Sequence, residues 1–384
     1  MRSRISPPTF TAIVLVLLLP VLSAAGSPSG DCGAPRWARA ALYTGGAKVV
    51  YQDYLWQAER WTQGDTPAAN DGGPWAAVGY CSPLPGPAAG RMFAPYVDVN
   101  LGFNLTEHAK ATGGYYSLGF LVDGGGCTAK WGGTAPLPSN LYLADIESLR
   151  AVGGDVIVSF GGESGGELGS TCPTAAAAQA QYQAVIAQYK LKRIDLDIEG
   201  GGFVNYAQRN QAIAALQAAN PGLEVSYTLP VLSTGLLANS IAVLKDAFAK
   251  GVKLSTVNVM AMDYGPPFDN GNQMELSSIR AAWSTMSQLQ RLLPSASHAE
   301  IARMTGLTPM IGQNDVRSEI FPVRDAAAMA QDAKENGVGF LSFWSITRDE
   351  PCPREQATGA AGPRCSGAQA EPLEFSYQFK KFLD

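Results

Sequence analysis

Short apolar runs alternate with longer amphipathic segments from residue 92 to the end of the chain. The short runs are rich in β-branched and aromatic residues, as strands are, and the longer segments repeat apolar residues at helical spacing. The short runs predict strands over Phe93–Val99, Tyr116–Val122, Val156–Phe160, Arg193–Ile198, Glu224–Leu229, Thr256–Met262, Met304–Met310 and Gly339–Trp344. The longer segments predict helices over Thr174–Tyr189, Tyr206–Ala219, Ser240–Ala249, Ser278–Leu293 and Arg324–Asn336.

Strands that alternate with helices are typical of an α/β fold with a parallel sheet. Residues 92–384 have the size of a (β/α)8 TIM barrel, which is therefore the predicted architecture. A doubly wound open sheet is the alternative, but no glycine-rich phosphate-binding pattern follows the first predicted strand. In a barrel we expect functional side chains at the C-terminal ends of the strands.

The N-terminal residues have the pattern of a secretion signal. Arg2 and Arg4 precede the apolar run Ala12–Leu19, and the small residues Ser23, Ala24 and Ala25 follow it. A membrane anchor is the alternative, but spanning a bilayer takes about 20 apolar residues, and this run is shorter. We therefore expect residues 1–25 to be a cleaved signal peptide and the mature protein to be secreted, with no membrane attachment.

Aromatic residues are concentrated in residues 32–81, which we expect to form a small all-β module. About 50 residues enclose too little interior to bury all these rings, so some should lie on the surface, where flat aromatics stack on sugars. A small core closed by one disulfide is the alternative explanation for many of them. Residues 82–91 are rich in proline and small residues and predict a short linker. The rings belong to Trp37, Tyr43, Tyr51, Tyr54, Trp56, Trp61, Trp75 and Tyr80.

Charge and cysteine usage limit the functional classes. Without Arg2 and Arg4 the chain has 26 basic and 33 acidic residues, a net charge of −7, which disfavours nucleic acid as a partner. Six cysteines in an exported chain predict disulfides. Six cysteines allow 15 pairings, and we expect those that each close a loop within one region. These are Cys32 with Cys81, Cys127 with Cys172, and Cys352 with Cys365.

The chain contains only two histidines, His108 and His298, and no CxxC pair. A zinc site or a histidine-based catalytic triad is therefore not expected. We predict that the protein uses no metal and no cofactor.

Acidic and apolar residues alternate over one predicted strand. Asp195, Asp197 and Glu199 would share one face, and the intervening Ile194, Leu196 and Ile198 the other. In a parallel barrel the acidic face points inward, where the charges repel one another and raise their pKa values. Such an arrangement is costly to fold and so indicates function. A solvated strand face in an antiparallel sheet, or a calcium loop, is the alternative.

This run resembles the family 18 glycoside hydrolase (chitinase) signature Asp-x-x-Asp-x-Asp-x-Glu. Lys192 stands in place of the first acid, at the position we expect to lie deepest and farthest from the chemistry. Other family motifs follow in the same order along the chain. They are Val158-Ser159-Phe160-Gly161-Gly162, Met262-Asp263-Tyr264 and Ser342-Phe343-Trp344-Ser345.

The resemblance implies a role for each matching residue. Glu199 would be the catalytic acid, Asp197 would hold the sugar acetamide, Asp195 would share a proton with Asp197, and Tyr264 would donate a hydrogen bond to the acetamide oxygen. Family 18 enzymes use the substrate's own acetamide as nucleophile. The substrate would be chitin or another polysaccharide of N-acetylglucosamine (GlcNAc). Further substrate contacts are expected from Trp344, Met262, Asp263, Tyr96, Ser159, Gly161, Gln313 and Asn314.

Residues 32–81 resemble the small chitin-binding modules of family 5/12. The resemblance rests on Tyr43-Thr44-Gly45-Gly46, Val49-Val50-Tyr51, Trp56–Gly64 and Trp75–Gly79. It implies that Tyr43, Trp56 and Trp61 bind the polymer. Arg60 stands where that family commonly has a second aromatic residue beside Trp61.

Three functional readings remain open at this point. Some family 18 chitinases carry an inserted domain between strands seven and eight, whereas here only a helix and loops separate Met310 from Gly339. By that resemblance we expect an open cleft and endo-acting cleavage. We also expect a monomeric protein. An endo-β-N-acetylglucosaminidase acting on N-glycans or peptidoglycan is the first alternative. A chitin-binding lectin is the second, and the retained Glu199 disfavours it.

Overall fold

The computed structural model describes residues 32–51, 54–67, 73–80, 90–266, 268–269, 271–353 and 361–384. The chain divides into two compact units, Met1–Ser82 and Pro83–Asp384. The predicted signal peptide (1–25), residues 82–89 of the predicted linker, and Cys81 lie outside the described residues. In the part that is described, no helix is both long and apolar enough to cross a membrane.

The first unit contains two small antiparallel sheets. Strands β2, β3 and β5 form one sheet, and β1 pairs with β4 in the other. Their bounds are β1 Leu42–Tyr43, β2 Lys48–Tyr51, β3 Tyr54–Ala58, β4 Thr62–Gln63 and β5 Trp75–Tyr80.

Some of the aromatic rings predicted to bind sugar are buried in this unit, and others are exposed. Trp56 and Trp75 are buried in a core with Val49, and the Trp56 indole N–H donates to the carbonyl of Tyr51. Trp56 is therefore a core residue, and its assignment to a sugar-binding surface is corrected. The ring of Trp61 is 68% exposed.

The second unit is a mixed α/β fold. Its helices are α1 Ala109–Thr112, α2 Leu143–Ala151, α3 Leu168–Thr171, α4 Ala175–Tyr189, α5 Tyr206–Ala219, α6 Ala238–Ala249, α7 Met274–Leu292, α8 His298–Met304, α9 Val323–Glu335 and α10 Glu374–Lys380. Its strands are β6 Met92–Phe93, β7 Tyr96–Asp98, β8 Tyr115–Asp123, β9 Ala129–Trp131, β10 Ala135–Pro136, β11 Asp155–Gly161, β12 Arg193–Asp197, β13 Glu224–Leu232, β14 Gly235–Leu236, β15 Leu254–Ala261, β16 Thr305–Pro309, β17 Gly312–Gln313, β18 Ile320–Phe321 and β19 Phe340–Leu341.

The central strands of this unit pair in parallel, in the order β8, β11, β12, β13, β15, β16, β19, β6. Strand β7 continues β6 after Ala94 and Pro95 and pairs in parallel with β8. The sequence of pairings therefore returns to where it began, an arrangement consistent with a TIM-barrel-like domain. We call these parallel strands the strand ring.

Local sequence explains where the helices begin and end. The hydroxyl of Thr174 accepts a hydrogen bond from the amide of Ala177, which caps the start of α4. Ser297 and Glu300 form a reciprocal capping box at the start of α8. Helix α4 ends at Lys190, whose φ of 50° is left-handed and stops the helical hydrogen-bond series.

Each predicted strand overlaps an observed strand of the ring, and each predicted helix overlaps α4, α5, α6, α7 or α9. The first predicted strand, Phe93–Val99, is interrupted in the structure at Pro95, which has no amide hydrogen to donate. The small hairpins β9–β10 and β17–β18 were not predicted, because two- and three-residue strands show too little periodicity to be recognised.

Candidate active site

The acidic run Asp195–Glu199 lies on β12 and just beyond it. Asp195 and Asp197 are 2% and 4% exposed, and Glu199, in the first residues after the strand, is half-buried. The side chains that alternate with them, Ile194 and Leu196, are completely buried. One face of the strand thus carries apolar packing and the other carries carboxyl groups that approach the C-terminal end of the ring.

The carboxylate of Asp195 accepts four hydrogen bonds from hydroxyl groups on three other strands of the ring, β7, β11 and β13. The donors are Tyr96 at 2.9 Å, Ser159 at 2.7 Å, Ser226 at 2.5 Å and Thr228 at 2.9 Å. We call these four side chains the hydroxyl cradle. Burial raises the pKa of Asp195, and the four hydrogen bonds act to lower it.

Asp197 and Glu199 form a coupled carboxyl pair. Burial, the charge of Glu199 and the charge of Asp195 hold the pKa of Asp197 well above its usual range. Burial also raises the pKa of Glu199, which the hydrogen bond from Asp197 lowers and the charges of Glu163 and Asp263 raise. The two groups therefore share a proton and titrate as one unit.

The second oxygen of Asp197 has no partner. Its Oδ1 is buried and makes no hydrogen bond to any described residue. A buried acceptor without a donor is costly, unless a ligand completes it. Both oxygens of the Asp195 carboxylate accept hydrogen bonds from the hydroxyl cradle, and its charge also raises the pKa of Asp197. Proton sharing between Asp195 and Asp197 stays a prediction.

Glycine at the end of β11 allows the close approach of β12. Gly161 has a φ of 105°, and a Cβ there would lie 2.1 Å from the carbonyl oxygen of Asp197. The amide of Gly162 donates to that same oxygen at 3.1 Å. Gly161, predicted to contact substrate, therefore fixes the backbone of Asp197, and any side chain at this position would displace it.

Trp344 follows the last strand of the ring and is half-buried. Its ring stacks on Phe120, with centroids 5.6 Å apart and planes at 11°, and lies 6.0 Å from Tyr96. Tyr96 and Ser159, also predicted to bind substrate, are 2% and 0% exposed and belong to the hydroxyl cradle. Of these predicted contacts, Trp344 is the side chain that retains accessible surface.

The segment Met262–Tyr264 follows β15. Met262 and Asp263 are half-buried, and Asp263 adopts a left-handed φ of 50°. Tyr264 is 5% exposed, its hydroxyl makes no hydrogen bond to a described residue, and burial raises its pKa, an effect that the nearby Ser278 hydroxyl partly offsets.

The loops after β15 and β16 hold each other through side chain to backbone hydrogen bonds. The Asp263 carboxylate accepts from the amide of Val316 at 2.7 Å, and the buried Glu319 carboxylate accepts from the amides of Tyr264 and Gly265 at 3.0 and 2.6 Å. Asn314, predicted to contact substrate, is 4% exposed.

The side chains of Gln313 and Asn314 both bind backbone. Asn314 donates to the carbonyls of Met310 and Gly312. Gln313 is half-buried and donates to the carbonyl of Arg317 at 3.2 Å. Both residues therefore shape the loop after β16.

Lys192 does not lie deep in the unit. Its side chain is exposed, and its carbonyl accepts from Glu224 just before β12 begins, at the N-terminal end of the ring. The prediction that position 192 is the deepest of the run is therefore wrong. An exposed side chain at this end lies away from the carboxyl pair, so the Asp-to-Lys departure from the motif leaves that pair intact.

Two of the three predicted disulfides are present, Cys127–Cys172 and Cys352–Cys365. The third prediction involves Cys81, which is outside the described residues. Within the described ranges, no three His, Cys, Asp or Glu side chains converge as a metal site would require.

Several site residues were not predicted from the sequence. Ser226 and Thr228 lie two residues apart on β13, as Asp195 and Asp197 do on β12. This matching alternation is the sequence signal that could have identified them. Glu319, Glu167 and Arg209 gave no local signal. Glu319 binds the amides of Tyr264 and Gly265, more than 50 positions before it, and Glu167 pairs with Arg209, 42 positions after it.

Known proteins resemble this chain over most of its second unit. No protein-family model matches it. The probable bifunctional chitinase/lysozyme of Escherichia coli is 36% identical over 279 residues, covering 68% of this chain and 31% of that protein. Endochitinase 11 of Metarhizium anisopliae is 36% identical over 278 residues, covering 68% of this chain and 53% of that protein. The matched region therefore spans about half or less of these two relatives.

Solved structures extend the match. The catalytic domain of a hyperthermophilic chitinase from Pyrococcus furiosus is 32% identical, with a TM-score of 0.70, and the match covers 78% of this chain and 97% of that domain. Catalytic-site mutants of active domain 2 of a thermostable chitinase from the same organism, complexed with chito-oligosaccharides, give the same values. On this similarity, the chain belongs to the chitinases of glycoside hydrolase family 18.

Proposed function

We propose that the protein is a secreted, endo-acting chitinase that cleaves β-1,4-linked GlcNAc polymers by a substrate-assisted mechanism that retains configuration. The observation that carries this proposal is the Asp197–Glu199 pair. The two carboxyl groups share a proton, and Asp197 Oδ1 makes no hydrogen bond to a described residue. The family membership supports the same activity, and a (β/α)8 barrel is the architecture we propose for the second unit.

In the first step, Glu199 gives a proton to the glycosidic oxygen as the bond to the anomeric carbon breaks. The carbonyl oxygen of the substrate's own acetamide bonds to that carbon and forms an oxazolinium ion. The acetamide N–H donates to Asp197 Oδ1, which supplies the partner that this buried oxygen lacks. Water then adds to the anomeric carbon as the bond between that carbon and the acetamide oxygen breaks, which restores the acetamide. A proton of the water passes to Glu199, and the anomeric configuration is retained.

The other site residues hold the reacting sugar. Trp344 offers an apolar ring face fixed by its stack on Phe120, and sugar C–H groups pack well on such faces. Tyr264, with its unpartnered hydroxyl, is the proposed donor to the acetamide oxygen. Asp195, held by the hydroxyl cradle, provides a fixed negative charge beside Asp197, which favours the developing positive charge of the oxazolinium ion.

The first unit is proposed to bind the polymer. Trp61 exposes most of its ring and is the residue we expect to stack on sugar, with Tyr43 beside the core ring Trp75 as a lesser contributor. Secretion agrees with the pattern of residues 1–25 and with disulfide bonds in the second unit, since disulfides persist in oxidising compartments.

Endo-action follows from the short connection between β16 and β19. This connection contains the β17–β18 hairpin and α9, with no inserted domain to wall the cleft. With long soluble polymer we expect products of mixed length from the first minutes. A time course that shows dimer as the first product would instead indicate an exo-acting or processive enzyme.

The decisive experiment compares two hexamers of the same length, one fully N-acetylated and one fully deacetylated. Proton NMR of the fresh products should show the β-anomer from the acetylated hexamer and no cleavage of the deacetylated one, which lacks the nucleophile. Cleavage of both, or initial release of the α-anomer, would show that the acetamide is not the nucleophile. Peptidoglycan serves as a third substrate, because the Escherichia coli relative is described as a chitinase/lysozyme.

A further inference from the structure

A buried ion pair lies behind the turn that follows Glu199. Arg209 is 0% exposed and Glu167 is 2% exposed, and Arg209 Nη1 lies 3.3 Å from Glu167 Oε2. Removing two charges from water costs several kcal/mol per ion, so a buried pair is weak evidence for stability and calls for another explanation. Neither residue takes part in the proposed chemistry.

The arginine is bonded to the backbone that carries Glu199. The short 3₁₀ turn Gly200–Phe203 begins directly after Glu199, and the amide of Gly202 donates to the Glu199 carbonyl at 2.6 Å. Arg209 Nη1 donates to the Gly202 carbonyl, and the Ser170 hydroxyl donates to it at 3.1 Å. The two donors thus hold the carbonyl of Gly202 in this turn.

The glutamate joins this turn to the neighbouring loop. Glu167 caps α3 by accepting from the Gly169 amide at 2.9 Å, and it also accepts from the hydroxyl of Tyr182. Its Cγ would lie 3.3 Å from a Cβ at Gly161, the glycine that packs against the Asp197 carbonyl. The ion pair therefore contacts the turn after Glu199 and lies close to Gly161, whose backbone packs against Asp197.

The guanidinium itself is held firmly. It lies over the ring of Tyr227, 5.9 Å from its centroid, and its stem packs on the backbone of Gly169, where an added Cβ would lie 2.5 Å away. Its Nε and Nη2 make no hydrogen bond to any described residue, so Nη1 makes both contacts. The orientation of Nη1 thus determines where the Gly202 carbonyl sits.

We propose that Arg209 and Glu167 are positioning residues for proton transfer by Glu199. They hold the turn after Glu199 so that its carboxyl group meets the glycosidic oxygen, without touching substrate themselves. The inference rests on the proposed function, since it concerns the acid of that reaction. The buried ion pair would then affect the rate at which the leaving group departs, in addition to any contribution to folding.

The test uses the double variant Arg209→Met with Glu167→Gln, which removes the bond to Gly202 without leaving a buried charge unpaired. It compares kcat/KM on a chitooligosaccharide, whose sugar leaving group needs the acid, with kcat/KM on an aryl chitobioside whose acidic phenol departs with little help. We expect a loss of about a hundredfold on the oligosaccharide, the scale of a misplacement of about 1 Å, and a loss below about fivefold on the aryl substrate.

Equal losses on the two substrates would overturn the proposal, since a merely structural pair would affect both alike. Arg209→Lys, which keeps a charged donor, should recover most of the activity. Ser170→Ala, which removes the second donor to Gly202 at a half-buried position, should give a smaller loss of the same selective kind.

The matched control is Arg150→Met with Asp155→Asn, an ion pair at the opposite end of β11 with its atoms 2.8 Å apart. It should lower the melting temperature and leave the ratio of the two kcat/KM values unchanged. If Glu199→Gln retains activity on the oligosaccharide, the proposed function itself is wrong, and that outcome is separate from any result with Arg209.

Discussion

The two ends of the strand ring differ in whether their acidic groups are paired with a cation. At the N-terminal end, acidic groups are paired with arginine, as in Arg150–Asp155 at 2.8 Å and Arg193–Glu224 at 2.8 Å. At the C-terminal end of β12, the carboxyl groups of the acidic run have no cation within ion-pair distance among the described residues. The same strand, β12, begins with a neutralised charge and ends with concentrated ones.

This difference separates residues that contribute to folding stability from residues proposed to take part in the reaction. Paired charges contribute to folding, modestly where the pair is partly exposed as in Arg193–Glu224, and they do not alter reactivity. Buried like charges raise carboxyl pKa values, which lowers folding stability and at the same time keeps a proton available for transfer at neutral pH. The C-terminal end is therefore where the molecule accepts an energetic cost, and substitutions at the two ends should have opposite signatures.

The largest effect is expected for Glu199→Gln. Removing the proposed general acid should lower kcat on a fluorogenic chitooligosaccharide by about a thousandfold, within the range for acid–base groups. The folded protein should melt at a higher temperature, because a half-buried charge beside Asp197 is gone. The matched change at the other end, Glu224→Gln, should alter kcat by less than about twofold, in keeping with a half-exposed ion pair. Equal losses of kcat from the two substitutions would contradict the difference between the two ends of the ring.

A smaller effect is expected for Asp197→Asn, with kcat reduced by about a hundredfold. It also tests the cost of burial through the dependence of stability on pH. The pKa of Asp197 in the folded protein lies well above its ordinary value of 3.8, so the protonated form favours folding and stability falls as pH rises above that value. The melting temperature of the variant should fall less between pH 4 and neutral pH than that of the wild type. Parallel melting curves would mean that Asp197 is not protonated in the folded state.

The smallest effect is expected for Glu163→Gln. The negative charge of Glu163 raises the pKa of Glu199, so its removal should lower that pKa and move the alkaline limb of the kcat/KM profile to lower pH. Because Glu163 is exposed, the shift should be small at low salt and should shrink as salt is added. A shift toward higher pH, or one insensitive to salt, would show that Glu163 acts by contact and not by charge.

The ring strands and main helices were predictable because each is a continuous local pattern, and α5 begins and ends at the residues predicted. The acids of β12 were predictable for the same reason, since alternation identifies a strand face. Arg209, Glu167 and Glu319 were not, because their contacts join loops far apart in sequence. Trp56 shows a different limit of prediction. The position of a tryptophan in a motif does not determine whether its ring packs in the core or faces solvent.

The hydroxyl cradle has an evolutionary consequence. Asp195 is tied to three strands by four hydroxyl groups, so losing it would unsettle the interior of the ring, whereas Glu199 has its carboxyl contact with Asp197 alone among the interactions described above. One substitution can therefore remove the proposed acid and leave the interior of the ring intact. On the proposed function, a lineage of this architecture is one mutation away from a carbohydrate receptor, while the reverse path requires the whole cradle to have been kept.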